Sequence, residues 1–205
     1  MTSLIKLIMN KKCFKLIVVG RQGAGKTSLI NRFTKDKFAP NYTTTIGIEF
    51  SSKEILVDNE KILLQIWDTA GQEKFKSLIK SFYHNSICTI FVYSIDDRKS
   101  FEDLEHWFRE AKESVMKDCI LILVGTKKDM NREVEREEGM KFMESHHMDA
   151  FFETSAKSGE QVFETFQSIA RELIEVAIRQ TNLKQSVNST QLALDAGMVE
   201  KKGCC

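Results

Sequence analysis

A single proline, Pro40, stands among the 205 residues. It falls between the first predicted helix and the second predicted strand and supports a loop there. No uncharged apolar run reaches the roughly 18 to 20 residues that a membrane-spanning helix needs. The short apolar stretch within Met1 to Cys13 is interrupted by Lys6 and followed by no small-residue cleavage site. It therefore does not read as a secretion signal, and the chain is expected to be cytosolic. An excess of one charge is missing too. Thirty Lys plus Arg face 29 Asp plus Glu, which excludes the simplest charge-driven partners, nucleic acid and an anionic membrane surface. Cysteine is sparse, five in number and without CxxC spacing, so neither a disulfide framework nor a zinc site is indicated. Cys13, Cys88 and Cys119 lie in or beside apolar segments and read as small buried hydrophobes. Cys204 and Cys205, the last two residues, stand behind Gly203, where packing is not their reason. There is no internal repeat.

What is present fits one domain with a tail. The length matches a single domain, and 42% hydrophobic residues suffice for a core. Short Val- and Ile-rich runs alternate with longer amphipathic stretches, the pattern of strand, crossover helix and strand. The expected fold is α/β: a six-stranded, mostly parallel sheet with one antiparallel edge strand and about five helices on both faces. Strands are expected at Phe14 to Val19, Glu49 to Val57, Ile62 to Trp67, Cys88 to Ser94, Ile120 to Val124 and Ala150 to Glu153. The second and third flank the polar turn Asp58 to Lys61, too short for a crossover helix, and so form a hairpin. The first helix should begin within Ser28 to Phe33, a short second one falls within Lys76 to Tyr83, and Val134 to His146 holds a fourth. Phe101, Leu104, Phe108, Ala111 and Val115 share one helical face, as do Phe163, Phe166, Ala170, Leu173 and Ala177; both stripes are read as core. Past Arg179 the apolar period fades, and residues 180 to 202 read as a disordered tether. The charged cluster from Arg132 to Glu138 reads as a solvated helix face. His146 and His147 read as a solvated helix end, since adjacent side chains on a helix point apart.

Gly20-Arg21-Gln22-Gly23-Ala24-Gly25-Lys26-Thr27 matches GxxxxGK[ST] directly after an apolar strand and directly before a helix, the context a phosphate-binding loop requires. Its glycines let backbone N–H groups converge on phosphate oxygens, with the helix N-terminus adding positive potential. Lys26 can reach the β and γ phosphates and the Thr27 hydroxyl can ligate Mg²⁺. Trp67 to Glu73 follows a second apolar strand and places Asp68 where it can hold Mg²⁺ through water. In that string Gly71 can offer a backbone N–H to a γ phosphate and Gln72 can position an attacking water. A phosphate loop by itself leaves the base and the reaction open, because kinases and ATPases use one too.

These residues resemble the small GTPase superfamily, from about Phe14 to Arg179 and again at the C-terminus. The resemblance divides the chain into an N-terminal extension (1–13), a GTPase domain (14–179) and a flexible tail (180–205) with lipidated cysteines. Thr45-Ile46-Gly47 resembles the first switch, which implies that Thr45 ligates Mg²⁺ and meets the γ phosphate when GTP is bound. Phe38 falls where the family places an aromatic ring against guanine. Thr126-Lys127-Lys128-Asp129 resembles the guanine motif NKxD, with Asp129 accepting from the base N1 and N2 groups and the Lys127 stem lying on the ring. Glu153-Thr154-Ser155-Ala156-Lys157 resembles the last base-contacting loop, with the Ala156 N–H reaching guanine O6. Implied nucleotide contacts thus run through Gly23, Ala24, Gly25, Lys26, Thr27, Ser28, Phe38, Thr45, Gly71, Lys127, Asp129, Ser155, Ala156 and Lys157. Lys26, Gly71 and Gln72 would be catalytic.

Two positions depart from the family pattern. Thr126 replaces Asn, removing an amide that bridges base and loops; the Rho branch resembles this sequence in having Thr, so guanine binding is still expected. Gln22 stands where a small residue is usual, and a long side chain there would crowd Gln72 or an incoming arginine and slow hydrolysis. Ile46-Gly47-Ile48-Glu49-Phe50, Gln65-Ile66-Trp67, Glu73-Lys74-Phe75 and the terminal Cys-Cys resemble the Rab family. Phe50, Trp67 and Phe82 occupy the aromatic trio that Rab effectors read, with Ile46, Gly47 and Phe75 on the same switch surfaces. The stretch Phe82 to Ser86 matches the tyrosine-rich Rab sequence poorly.

The resemblance implies a GDP/GTP switch in vesicle traffic, with Mg²⁺ as cofactor and GTP and GDP as substrate and product. It implies an exchange factor, a GAP, a GDP-dissociation inhibitor, an escort protein with geranylgeranyl transferase, and effectors as partners, and no nucleic acid. Two geranylgeranyl groups on Cys204 and Cys205 would hold the protein on the cytoplasmic face of intracellular membranes, beside a soluble pool. Alternatives are a Rho-like or Ras-like signalling GTPase, a guanine-nucleotide scaffold that no longer hydrolyses, and a metabolic P-loop kinase or ATPase. Against the last, no lid or acceptor-binding segment is recognisable.

Overall fold

The computed structural model describes residues 12–40, 45, 47–70, 82–116 and 118–179. One six-stranded sheet organises them: β1 (Cys13–Val19), β2 (Ile48–Val57), β3 (Glu60–Thr69), β4 (Cys88–Ser94), β5 (Ile120–Thr126) and β6 (Ala150–Glu153), in the spatial order β2-β3-β1-β4-β5-β6. Every neighbouring pair is parallel except β2 and β3. Those two are joined by Asp58 and Asn59 alone, both left-handed at φ 50 and 66. This is the residue chemistry of the tight hairpin turn whose twist matches the strands.

The centre of the sheet is buried on both faces, which explains why residues 16–19 of β1 and most of β4 read as apolar runs rather than alternating ones. Along β1, Leu16 and Val18 enter the core that α1 (Lys26–Lys35) and the helix at 162–179 (α5) cover. Ile17 and Val19 enter the opposite core. That core is covered by α2 (Arg98–Glu102), α3 (Leu104–Lys112) and α4 (Arg136–Ser145).

Several expectations are corrected. Helix α1 begins at Lys26, before Ser28, because Gly25 takes a left-handed φ of 85 and turns the chain straight from the loop into the helix. The stripe from Phe101 to Val115 is divided between two helices at Asp103, and Val115 lies beyond the second. Phe163 is not core. Val162, Phe166, Ile169, Ala170 and Leu173 face the sheet, and Phe163 is rotated outward to 45% exposure, 6.3 Å from the Phe33 ring. In the segment from Arg132 to Glu138 the charged residues Glu133, Glu135, Arg136 and Glu137 are solvated as expected, and only Val134 is fully buried. From this solvated stretch Arg132 and Arg136 also reach Glu153 on β6, and Glu138 pairs with Arg98. His146 is tucked against Phe142 and Phe108, with ring centroids at 4.0 and 4.5 Å, whereas His147 is exposed. Cys88 and Cys119 are buried and Cys13 is only half-buried. Most of Lys76 to Tyr83 lies outside the described residues, as do Ile46, Phe75 and the tail with Cys204 and Cys205.

Candidate functional site

The carboxyl ends of β1, β3, β4, β5 and β6 open on one cleft, where parallel α/β sheets place their ligands. At its centre the chain leaves β1 and passes to α1 through Gly20 to Gly25. Only glycine fits at Gly20, where φ is 143 and a Cβ would lie 2.1 Å from the Val92 carbonyl oxygen. Gly25 caps α1 with no side-chain hydrogen bond, which leaves the first-turn N–H groups for an anionic ligand. Lys26 opens that helix and is 5% exposed. Its Nζ donates to the carbonyls of Gly20 at 2.7 Å and Arg21 at 2.9 Å. Burial lowers its pKa to about 8, with the Asp68 carboxylate pulling the other way.

Beside the lysine, three oxygen-bearing side chains converge. The Thr27 hydroxyl donates to Asp68 Oδ2 at 2.5 Å and lies 2.8 Å from the Thr45 hydroxyl. Asp68 is delivered by β3, which pairs with β1 so that Val18 and Asp68 are partners. Burial pushes its carboxyl up to about 6, against the Thr27 hydrogen bond and the Lys26 charge. Asp68 Oδ1 is buried without a hydrogen-bond partner. A buried carboxylate oxygen with nothing to bind, next to two hydroxyls, is a hard-oxygen set that fits a small divalent cation. Among the described residues no group of three or more His, Cys, Asp or Glu side chains is placed to hold a metal, so the two threonines are needed to complete the set. The Gly47 carbonyl accepts from the Ala70 N–H at 2.8 Å, tying the segment after Thr45 to the end of β3.

The far end of the cleft is built from the loops after β5 and β6. Lys127 takes a left-handed φ of 58 and its Nζ lies 3.3 Å from Asp96 Oδ1. Asp129 Oδ1 accepts from the Ser155 hydroxyl at 2.6 Å, and Lys157 Nζ lies 3.7 Å from Asp129 Oδ2. Arg32 of α1 pins this loop from below, donating to the carbonyls of Ala156 at 2.7 Å and Lys157 at 3.1 Å. Behind it, Glu153 accepts two bonds from Arg132, at 2.7 and 2.9 Å. Burial alone would raise the Glu153 carboxyl, but Arg132 and Arg136 hold it below the usual carboxylate range. Thr126 is the bridge: its hydroxyl donates to the Ala24 carbonyl at 2.6 Å and lies 3.0 Å from the Tyr93 carbonyl oxygen. The amide that the family pattern places here is absent, and a shorter hydroxyl makes this link between the loops.

The cleft has a volume of about 580 Å³. Of the residues singled out from sequence, Gly23, Gly25, Lys26, Thr27, Ser28, Phe38, Thr45, Lys127, Asp129, Ala156 and Lys157 line it. Ala24, Asp68 and Ser155 are buried behind that lining. Gly71 and Gln72 lie outside the described residues. Sequence reasoning missed Asn31, Lys37 and Met130 on the wall and the anchors Arg32 and Arg132. Only Asn31 and Arg32 carried a signal, one α-turn beyond the phosphate loop. Gln22 also lines the cleft.

A separate surface assembles around β3. Phe50 and Trp67 are cross-strand partners with ring centroids 5.1 Å apart, and Phe82 lies 5.0 Å from Trp67. Phe50 is 51% exposed. Lys15 Nζ lies over the Trp67 and Phe82 rings, at 5.6 and 5.7 Å from their centroids.

Comparison with known proteins places this arrangement. The sequence profile of the Ras family matches residues 15–175. Ras-related protein Rab-13 of Canis lupus familiaris is 44% identical over 163 residues, 78% of this chain and 80% of the relative. Ras-related protein Rab-11B of Dictyostelium discoideum is 43% identical over 157 residues, 76% of this chain and 71% of the relative. Ras-related protein Rab-8 of Diplobatis ommata is 39% identical over 184 residues, 89% of this chain and 85% of the relative.

Proposed function

The chain belongs to the Ras family and is a Rab-like small GTPase that binds guanine nucleotide and hydrolyses GTP, and on that premise we propose that it is a Mg²⁺-dependent, GAP-stimulated switch that recruits effectors in intracellular vesicle traffic. One observation carries the proposal: the Thr45 hydroxyl, from the segment between α1 and β2, lies 2.8 Å from the Thr27 hydroxyl of the phosphate loop. A residue placed so, outside the rigid sheet yet at the phosphate end of the cleft, lets the γ phosphate decide where its segment rests.

The chain's own groups have distinct tasks. Lys26 spends two of its three donors on the Gly20 and Arg21 carbonyls and turns the third to β and γ phosphate oxygens, and phosphate charge restores the basicity that burial removes. Gly23, Ala24, Gly25, Lys26, Thr27 and Ser28 offer backbone N–H groups to the same oxygens. Asp129, oriented by Ser155, accepts from the N1 and N2 groups of guanine, a pattern adenine does not present. The Ala156 N–H meets O6, while the Lys127 stem and the Phe38 ring close on the base. Thr27 and Thr45, with Asp68 behind, would hold Mg²⁺, which when bound would supply charge neutralisation at the phosphates. Gln72 orients the attacking water and the Gly71 N–H holds the γ phosphate. An arginine supplied in trans by a GAP adds about 10³ to 10⁵ in rate.

Phe50, Trp67 and Phe82 form a surface that effectors read, and Ile46, Gly47 and Phe75 are assigned to the same recognition. No helix among the described residues is long and apolar enough to cross a membrane, and attachment is assigned to prenyl groups on Cys204 and Cys205. Two such chains give the stable anchoring that one does not. The protein then divides between the cytoplasmic face of intracellular membranes and a soluble pool held by a GDP-dissociation inhibitor, after escort-protein delivery to the geranylgeranyl transferase. Identification of the nucleotide that copurifies, followed by timing of its turnover, tests the reading. GDP or GTP with slow Mg²⁺-dependent conversion is expected, and a bound adenine nucleotide contradicts it.

A further inference from the structure

Asp103 holds an unusual place. It ends α2 and begins α3, with helical backbone angles of φ −68 and ψ −14, and its carboxylate makes no capping bond to α3. An aspartate at a helix start ordinarily accepts from the N–H groups of the first turn. This carboxylate instead reaches across 82 residues of sequence to Arg21 of the phosphate loop, with Oδ2 2.5 Å from Nη1. Arg21 is thereby held at two points. Outside, its guanidinium is fixed to Asp103; inside, its carbonyl accepts from Lys26 Nζ at 2.9 Å and from the Ala24 N–H at 3.2 Å. Asp103 is a firm post, since the next residues, Leu104, Trp107 and Phe108, are packed into the core against β4. The loop it holds is the opposite kind of structure: Gly20 and Gly23 flank Arg21 and Gln22 with positive φ, conformations that glycine enters and leaves easily.

We propose that Arg21 and Asp103 are positioning residues that clamp the phosphate loop to the start of α3 and slow nucleotide release. The clamp acts through the Arg21 backbone, whose carbonyl shares Lys26 with the phosphates, so letting go of Asp103 frees the loop to shift away from the ligand. The assignment rests on the reading of the cleft as the guanine-nucleotide site. Neither member touches the nucleotide. Both side chains are about one-third exposed, so breaking the pair costs little global stability and the effect is concentrated in the loop.

The test follows release of a fluorescent GDP analogue from the full-length protein with Mg²⁺, chased by excess GDP. Five proteins are compared: wild type, Arg21→Ala, Asp103→Asn, the double variant, and the charge swap Arg21→Asp with Asp103→Arg. Each single change is expected to speed release by about three- to fivefold, the ceiling for a partly exposed ion pair. The double variant should be no faster than the faster single one, the swap should return to within roughly twofold of wild type, and the melting midpoint should hold. A purely structural role moves the midpoint and gives no rescue. Wild-type release rates in both single variants, additive effects in the double, or a swap as fast as the singles would each overturn the clamp. If Arg21→Ala does not fold, Asp103→Asn and Arg21→Lys decide, with Arg21→Lys expected to lie between wild type and Asp103→Asn. A wild type that retains no GDP overturns the nucleotide reading and the clamp together, which separates that failure from a failure of the variants alone.

Discussion

The Thr126 hydroxyl donates to the carbonyl of Ala24 at 2.6 Å, joining the loop after β5 to the phosphate loop across 102 residues of sequence. The same oxygen lies 3.0 Å from the Tyr93 carbonyl. One buried hydroxyl thus ties the base end of the cleft, the phosphate end and the centre of the sheet. Thr126→Val keeps the shape and removes the donor. It should cost about 1 to 1.5 kcal/mol, read as a lowered denaturation midpoint, and should accelerate GDP release in the same experiment.

Charge at Lys26 and Asp68 predicts an unusual pH dependence once nucleotide is stripped with a chelator. Asp68 titrates near 6 in the folded chain, raised by burial from 3.8, so the folded state holds an extra proton between about pH 4 and 6. Stability should fall as pH rises through that window. Lys26 titrates near 8, lowered from 10.5, so the unfolded state holds the extra proton between about pH 8 and 10.5. Stability should climb again there. Each arm is worth about 3 kcal/mol at most. Urea unfolding across pH checks this, and Asp68→Asn should flatten the acid arm and, by removing the charge that holds Lys26 up against burial, deepen the alkaline one.

Glu153→Gln removes the charge that Arg132 and Arg136 share. Glu153 is 3% exposed but Arg132 is 27% exposed at its side chain, so water softens the loss and about 1 to 3 kcal/mol is expected. Because Thr154, Ser155 and Ala156 follow directly, GDP affinity should drop with stability. Calorimetric titration with GDP, beside chemical denaturation, measures both.

Gln22 lines the cleft where the family generally carries a small residue. Gln22→Ser should raise single-turnover GTP hydrolysis roughly three- to tenfold, the gain that about 1 kcal/mol of relieved crowding gives. An unchanged rate would mean that the long side chain points clear of the reaction.

Elements set by local pattern were legible in the sequence. The strands, the Asp58–Asn59 hairpin and the phosphate loop all declare themselves within about ten residues, through apolar runs, turn chemistry and glycine spacing. Features decided by distant partners were not. Nothing local says that Asp103 will break a helix and reach Arg21, that Arg32 will hold Ala156 from 124 residues away, or that Arg132 will turn inward to Glu153. Phe163 misled for a related reason: the apolar period admits two neighbouring faces, and Val162 took the one against the sheet. The Thr126 link was not legible either, because the hydroxyl's reach to Ala24 depends on how closely Gly25 lets the loops approach. A Cβ on Gly25 would come within 3.0 Å of that hydroxyl.

The central claim is that this cleft binds GTP and cleaves its γ phosphate with water oriented by Gln72. Single-turnover hydrolysis of GTP and of ATP, by wild type and by Gln72→Leu with Mg²⁺ present, tests it most directly. Slow conversion of GTP by wild type, at least about tenfold slower conversion by the variant, and no conversion of ATP are predicted. Equal rates in the two proteins, or turnover of ATP as fast as GTP, would contradict it.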